Sequence, residues 1–250
     1  MTQFGLIGYP LSHSFSQKYF TEKFQKLGLN YSYSLFSIQD IHSFPLLIKE
    51  NPAIIGLNVT LPYKQSIISY LDELSPEAHQ TGAVNTIKKL ANGTLKGYNT
   101  DIIGFTKAIE QVVSNPVFER AIIIGNGGAA KAVYYALQNI FNCENIIVAC
   151  RTPQQSHELF IEELSEDMIA SADIIVQCTP VGMYPNTDQM LMMPYYALHT
   201  GQVAMDLVYN PEETYFVRYA KEQGCTVASG LTMLYTQAEA SFEIWTQENR

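Results

Sequence analysis

One lysine and one aspartate in this 250-residue chain stand where proton chemistry could be done. Lys64 closes the run Asn58-Val59-Thr60-Leu61-Pro62-Tyr63-Lys64, and Asp101 closes Asn99-Thr100-Asp101. A lysine at a helix start feels the positive end of the helix dipole, which lowers its pKa; a nearby carboxylate raises it again and fixes the ammonium. Such a pair can hand a proton to a carbonyl oxygen as hydride reaches the carbon. The plain alternative makes Lys64 a solvated helix-start residue and Asp101 an N-cap. Around the pair stand Ser14 and Ser16 after the first apolar run, Asn58 and Thr60 after the third, and Asn85 in Gly82-Ala83-Val84-Asn85-Thr86. If they converge, these hydroxyls and amides, with one cation and one anion, suit a small polyhydroxylated acid. Unpaired polar groups are costly, so such a pocket discriminates well.

A second constellation would supply the hydride. Ala121-Ile122-Ile123-Ile124 is a short β-branched run that turns at Gly125-Asn126-Gly127-Gly128-Ala129-Ala130. An amphipathic segment, Lys131 to Ile140, and a second apolar run, Ile146–Cys150, complete one βαβ unit. The turn fits G-x-G-x-x-A: Gly125 for the tight turn, Gly127 for close approach to a pyrophosphate, Ala130 for helix–strand packing. The phosphates would sit at the helix N-terminus. A turn of this kind can also exist without a ligand. The second run ends Cys150-Arg151-Thr152, with no acid for a ribose 2′-hydroxyl. Arg151 and Thr152 can meet a 2′-phosphate instead, which points to NADP(H) over NAD(H).

The elements that must position these residues alternate. Strands are expected at Phe4–Tyr9, Tyr31–Ile38, Ile54–Val59, Ala83–Lys89 and Thr94–Tyr98, the last two joined through Asn92-Gly93. Helices are expected from Tyr19 to Leu27, Asp40 to Ile48, Lys64 to Leu74 and Ile102 to Val113, with a break at Ser114-Asn115-Pro116. Beyond the glycine unit come a helix over Gln154–Leu164, strands at Asp173–Cys178 and Gln202–Val208, a helix over Glu212–Gln223, a strand at Thr226–Ala228 and a helix over Leu231–Gln247. Alternation of this kind implies mostly parallel sheets, with a ligand in a cleft between two domains.

Composition excludes several classes. The net charge of -9 argues against a nucleic-acid partner. The four cysteines, Cys143, Cys150, Cys178 and Cys225, lie far apart with no zinc spacing, as for reduced thiols in a cytoplasmic protein without a metal. The first residues lack a signal-peptide pattern, and no apolar stretch has the length of a membrane span. His13 reads as a structural hydrogen-bonder, and no G-x-S-x-G elbow supports a hydrolase.

Taken together, the motifs resemble the shikimate dehydrogenase family. They are Gly8–Ser16, Asn58–Lys64, Gly82–Thr86, Asn99–Asp101, Gly125–Ala130, Arg151-Thr152, Thr179–Met183, Asp206–Pro211 and Gly230 through Gln237-Ala238, in family order along nearly the whole chain. The resemblance implies an α/β fold: a discontinuous N-terminal substrate domain, residues 1–102 completed by 231–250, and a Rossmann-type dinucleotide-binding domain, 103–230. It implies NADPH-dependent reduction of 3-dehydroshikimate to shikimate, in chorismate and aromatic amino-acid biosynthesis. Ser14 and Ser16 would hold the carboxylate. Thr60, Asn85, Asp101 and Gln237 would bind ring hydroxyls, and Asn58 is placed with them. Lys64 and Asp101 would be the catalytic pair, and Tyr209 would close over the substrate. Gly125, Asn126, Gly127, Gly128, Ala129, Ala130, Arg151, Thr152, Thr179, Val208, Gly230 and Met233 would line the cofactor. A monomer or homodimer is expected.

Three positions depart from the family pattern: Gln17 for the usual Pro, Asn126 for Ala in the turn, and Cys150 for Asn before Arg151. A basic residue a few positions after Arg151 is also missing. The last two departures bear on the strictness of NADP use. The rival readings are a quinate/shikimate dehydrogenase with relaxed NAD/NADP use and a non-catalytic Rossmann-fold ligand sensor.

Overall fold

A computed structural model describes residues 1–11 and 14–247; Ser12 and His13 lie outside the described residues. The elements run β1 Thr2–Gly8, α1 Phe15–Lys26, β2 Tyr31–Ser37, α2 Phe44–Glu50, β3 Ile54–Val59, β4 Glu73–Leu74, α3 Pro76–Thr81, β5 Thr86–Lys89, β6 Leu95–Tyr98 and α4 Asp101–Val112. They continue with β7 Arg120–Ile124, α5 Gly128–Asn139, β8 Asn145–Cys150, β9 Glu158–Phe160, α6 Glu166–Ser171, β10 Ile174–Gln177, β11 Val203–Asp206, α7 Tyr215–Glu222, β12 Thr226–Ser229 and α8 Gly230–Thr246. Two compact units form, one from Met1–Thr100 with the chain from Ala238, the other Asp101–Gln237. Among the described residues no helix is long and apolar enough to cross a membrane.

The first unit holds a mixed sheet in the order β2-β1-β3-β5-β6-β4. β1 pairs in parallel with both β2 and β3, whereas β5 is antiparallel to β3 and β6. The period of two in β1 sends Phe4 and Leu6 to one face, with Phe20, Phe24 and Trp245, and Ile7 to the other, with Phe44, Leu57 and Ile67. The chain leaves β1 toward β2 and returns on the other side as β3. The strand order therefore reverses between β1 and β3, and an open α/β sheet offers a crevice beyond the strand ends at such a point.

The second unit has the order β12-β11-β10-β7-β8-β9, with every pairing parallel. In unit order this is 3-2-1-4-5-6 read from β9, the doubly wound dinucleotide-binding arrangement, reversing between β7 and β10. Ala121 and Ile123 face one core, and Ile122 and Ile124 the other. Both faces are therefore covered, as parallel strands require. Each of these buried isoleucines contributes roughly 1.5–3 kcal/mol.

Two expected helices are absent. Over Lys64–Leu74 the chain makes only a 3-10 turn, Ser66–Tyr70, and then β4. Ile67 and Ile68 are β-branched, and the Ser69 hydroxyl donates to the Ser66 carbonyl at 3.0 Å. Asp72 then exchanges two hydrogen bonds with Leu95 (3.0 and 2.8 Å), which draws the chain onto β6. The helix dipole invoked for Lys64 is consequently not there. Over Gln154–Leu164 the chain forms β9, an edge strand parallel to β8, and a 3-10 turn at Ile161–Glu163. The strand expected at Ala83–Lys89 begins only at Thr86. Two short helices were unexpected. In α3, Ser75 caps the Ala78 N–H, Pro76 opens the first turn, and Gly82 at φ 59 ends it; in α6, Ser165 caps the Met168 N–H.

Candidate active site

Past the ends of β1 and β3 the first unit presents Ser14, Ser16, Thr60 and Lys64, all half-buried. Ser14 is the N-cap of α1, its hydroxyl accepting the Ser16 N–H at 3.2 Å. Thr60 is fixed by its N–H to the Ile7 carbonyl (2.9 Å), and Gly8 lies so close that a Cβ there would stand 2.5 Å from the Thr60 methyl. Lys64 is held through its carbonyl, which accepts the Val84 N–H at 2.7 Å.

Behind these residues runs a buried hydrogen-bond network that the sequence did not reveal. The Ser16 side chain bonds the Tyr33 phenol, and burial raises the pKa of that phenol. The Tyr33 hydroxyl donates to Asn58 Oδ1 at 2.8 Å. Asn58 Nδ2 faces Ser241 Oγ at 3.0 Å, and the Asn85 carbonyl and Thr86 Oγ1 at 3.3 Å. Asn85 accepts the Thr100 N–H at 2.7 Å and donates to Thr100 Oγ1 at 2.9 Å. Asn58 and Asn85, both expected to touch substrate, thus make these bonds inside the protein. Asn85 clamps the residue immediately before Asp101. A buried, fully paired network of this kind holds its members in one arrangement.

In the second unit, Asp101 is the first residue of α4 and is buried, one position inside the helix rather than its N-cap. Gly125 has φ +111, and a Cβ there would lie 3.1 Å from Thr179 Cγ2 and 3.3 Å from the Cys178 carbonyl carbon, so glycine is required. Gly127 caps the twelve-residue α5 with no side-chain hydrogen bond and no acid in the first turn. A Cβ at Gly127 would meet nothing within 4 Å. Open space above uncapped helix N–H groups fits a pyrophosphate. Gly128 and Ala130 are buried and Ala129 half-buried, while Asn126, Arg151 and Thr152 are exposed. Thr179 is half-buried past β10, its N–H bonded to the Gln177 side chain at 2.5 Å.

The remaining expected residues are spread more widely. Val208 is buried and donates its N–H to Asp206 Oδ1 at 2.9 Å; Tyr209 beside it is partly exposed. Burial pushes the Asp206 carboxyl up to about 7, against the pull of the Thr214 hydroxyl and the Val208 N–H. A Cβ at Gly230 would strike the Asp206 carbonyl at 2.5 Å, so Gly230 serves the approach of α8 to β11. Met233 is buried in the core, its carbonyl against Gly104. Gln237 Nε2 donates to the Leu234 carbonyl at 3.0 Å. Among the described residues no three His, Cys, Asp or Glu side chains gather as metal ligands.

Fold and site define a class: a two-domain α/β protein with a Rossmann-type dinucleotide-binding domain and a separate N-terminal substrate domain. The family model of the shikimate dehydrogenase substrate binding domain matches residues 6–87. A relative from Desulforamulus reducens, named shikimate dehydrogenase (NADP(+)), is 39% identical over 97% of this chain and 89% of its own. The chain belongs to the shikimate dehydrogenase family. A crystal structure of the Thermus thermophilus enzyme with NADP(H) and shikimate superposes with TM-score 0.86 at 33% identity, covering 98% of this chain and 94% of the other. That of the Listeria monocytogenes enzyme, with shikimate and NAD, gives TM-score 0.86 at 31% identity over 99% and 92%.

Proposed function

We propose that this chain catalyses the reversible NADPH-dependent reduction of 3-dehydroshikimate to shikimate. The observation that carries the reading is the match, over 98% of the chain, to a structure holding both NADP(H) and shikimate. Bound NADPH supplies the hydride; the protein must bind, orient and protonate. Ser14 and Ser16 take the substrate carboxylate, with α1 starting between them and the Ser16 side chain braced by Tyr33. Thr60, Asn85, Asp101 and Gln237 serve the ring hydroxyls, and Tyr209 closes over the ring. Lys64 delivers the proton to the carbonyl oxygen as hydride arrives, and Asp101 fixes the ammonium. Asn58 acts behind the site, holding Tyr33, Thr86 and Ser241.

The cofactor's pyrophosphate rests on Gly125–Ala130 at the α5 N-terminus. Arg151 and Thr152 lie toward the adenosine end, and Thr179, Val208, Gly230 and Met233 toward the nicotinamide. No metal takes part, and the protein works in the cytoplasm as a monomer or homodimer. The test is an initial-rate assay crossing shikimate and quinate with NADP+ and NAD+. Turnover of shikimate is expected, with quinate poor on either cofactor. No oxidation of shikimate with either cofactor refutes the reading and leaves a ligand sensor.

A further inference from the structure

Glu158 was not among the residues expected to matter, and its side chain reaches the glycine turn. It opens β9, the strand alongside β8, opposite Val148. Its carboxylate accepts the N–H of Gln154 at 2.6 Å and of Gln155 at 3.2 Å. The Asn126 side chain, from the glycine turn, hydrogen-bonds the same carboxylate. Three donors from two loops thus converge on one anion. One of those loops is led in by Arg151 and Thr152. Those donors hold the Glu158 carboxyl below the usual range, so it is charged at neutral pH.

A site for NAD carries an acid at the end of the second strand of the βαβ unit, which accepts the ribose 2′-hydroxyl. Here that strand ends in Cys150, but the neighbouring strand brings a carboxylate to within hydrogen-bond reach of the glycine turn. Convergent backbone N–H groups are themselves a phosphate-binding device, and Glu158 already fills this one. A 2′-phosphate drawn in by Arg151 therefore meets a negative charge on donors it could otherwise use.

Building on the reading that the turn binds an adenine dinucleotide, we propose that Glu158 sets the cofactor choice. Its carboxylate accepts the ribose 2′-hydroxyl and opposes a 2′-phosphate, so that the chain uses NAD(H) beside NADP(H). Asn126 positions that carboxylate.

The test is calorimetric titration of the full chain with ADP and with 2′,5′-ADP, for the wild type and for Glu158→Gln. Glutamine keeps an oxygen for the Gln154 and Gln155 N–H groups and removes the charge. The expected result is a gain of about tenfold or more in 2′,5′-ADP affinity relative to ADP, the effect of relieving one close like-charge contact. The ratio of kcat/KM for NADP+ over NAD+ should rise in the same direction. An unchanged affinity ratio, with both probes still bound, overturns the role of Glu158 and leaves the cofactor site standing. If neither probe binds the wild type, the dinucleotide reading falls and this proposal falls with it.

Discussion

Replacing Asn58 by alanine separates a substrate contact from a structural hub. In the wild type its amide makes two well-formed bonds, to Tyr33 at 2.8 Å and Ser241 at 3.0 Å, and two long ones at 3.3 Å. Counting about 1 kcal/mol for each short bond and about 1 for the two long ones together gives a loss of about 3 kcal/mol. The vacated volume, buried beneath the sheet, adds about 1 kcal/mol. Most of the partners retain a second bond, Thr86 to Ser241 at 2.8 Å among them, which keeps the total from rising further. The sum, about 4 kcal/mol, should lower the urea midpoint of this unit by roughly 1–4 M. The chain's single tryptophan, Trp245, reports the right region: it is 4% exposed and packs on Phe4 and Phe20 at 4.8 and 5.2 Å. Its fluorescence therefore follows unfolding of the first unit without assuming that both units unfold together. A midpoint shift under about 0.3 M, accompanied by a large rise in the KM for shikimate, would refute the hub and return Asn58 to the substrate.

Three further outcomes can be measured. Lys64→Ala should lose about 100-fold or more in kcat while shikimate still binds, because only transition-state proton transfer is removed; near-normal kcat would contradict the role given to Lys64. Gly125→Ala forces a Cβ against Thr179 and Cys178 at φ +111 and should cost about 1–3 kcal/mol of stability with a clear loss of NADPH affinity; an unchanged Kd by fluorescence titration counts against the turn as the cofactor cradle. Asp206 has a carboxyl raised from 3.8 to about 7, so the folded state holds its proton more tightly than the unfolded chain. The stability from this proton is complete below about pH 4 and is lost as pH rises through about 7, by up to roughly 4 kcal/mol. Asp206→Asn should flatten that loss in urea melts followed by circular dichroism from pH 5 to 8, and equal slopes in the two proteins would refute it.

What could be read from the sequence was whatever short-range chemistry fixes. β3 runs over Ile54–Val59 as its apolar run predicts, and the turn after β7 has Gly125 in the left-handed region where the fingerprint places it. What could not be read depends on partners distant in sequence. The apolar residues Ile67, Ile68, Leu71 and Leu74 have helical spacing, but Asp72 finds Leu95 and the helix gives way to β4. Leu159 and Ile161 lie in a helix-like pattern, but β8 offers an open edge and the segment pairs with it as β9. α3 is different: Ser75, Pro76 and Gly82 carry the start and stop signals in plain view, and its six residues are simply too few to show a period.

The same distinction governs the site. Ser14, Ser16, Thr60 and Lys64 follow the ends of β1 and β3, the strands between which the order reverses, where an open α/β sheet offers a crevice. Asn58 and Asn85 also stand at strand ends, and their amides were equally able to bind hydroxyls of a ligand or of the protein. Thr86, Thr100 and Ser241 bond these amides within the protein, and they come from β5, from the end of the first unit and from α8, all far along the chain from Asn58 and, Thr86 apart, from Asn85. Glu158 is the strongest case. As a helix residue it would face solvent with its neighbours; as the first residue of an added strand it brings a charge beside the glycine turn. Asn126 has a physical reason in that arrangement, since its side chain hydrogen-bonds the carboxylate. The glycine turn is thus tied to the edge strand β9 through one side-chain pair, and Asn126 and Glu158 should be altered together as well as singly when cofactor use is tested.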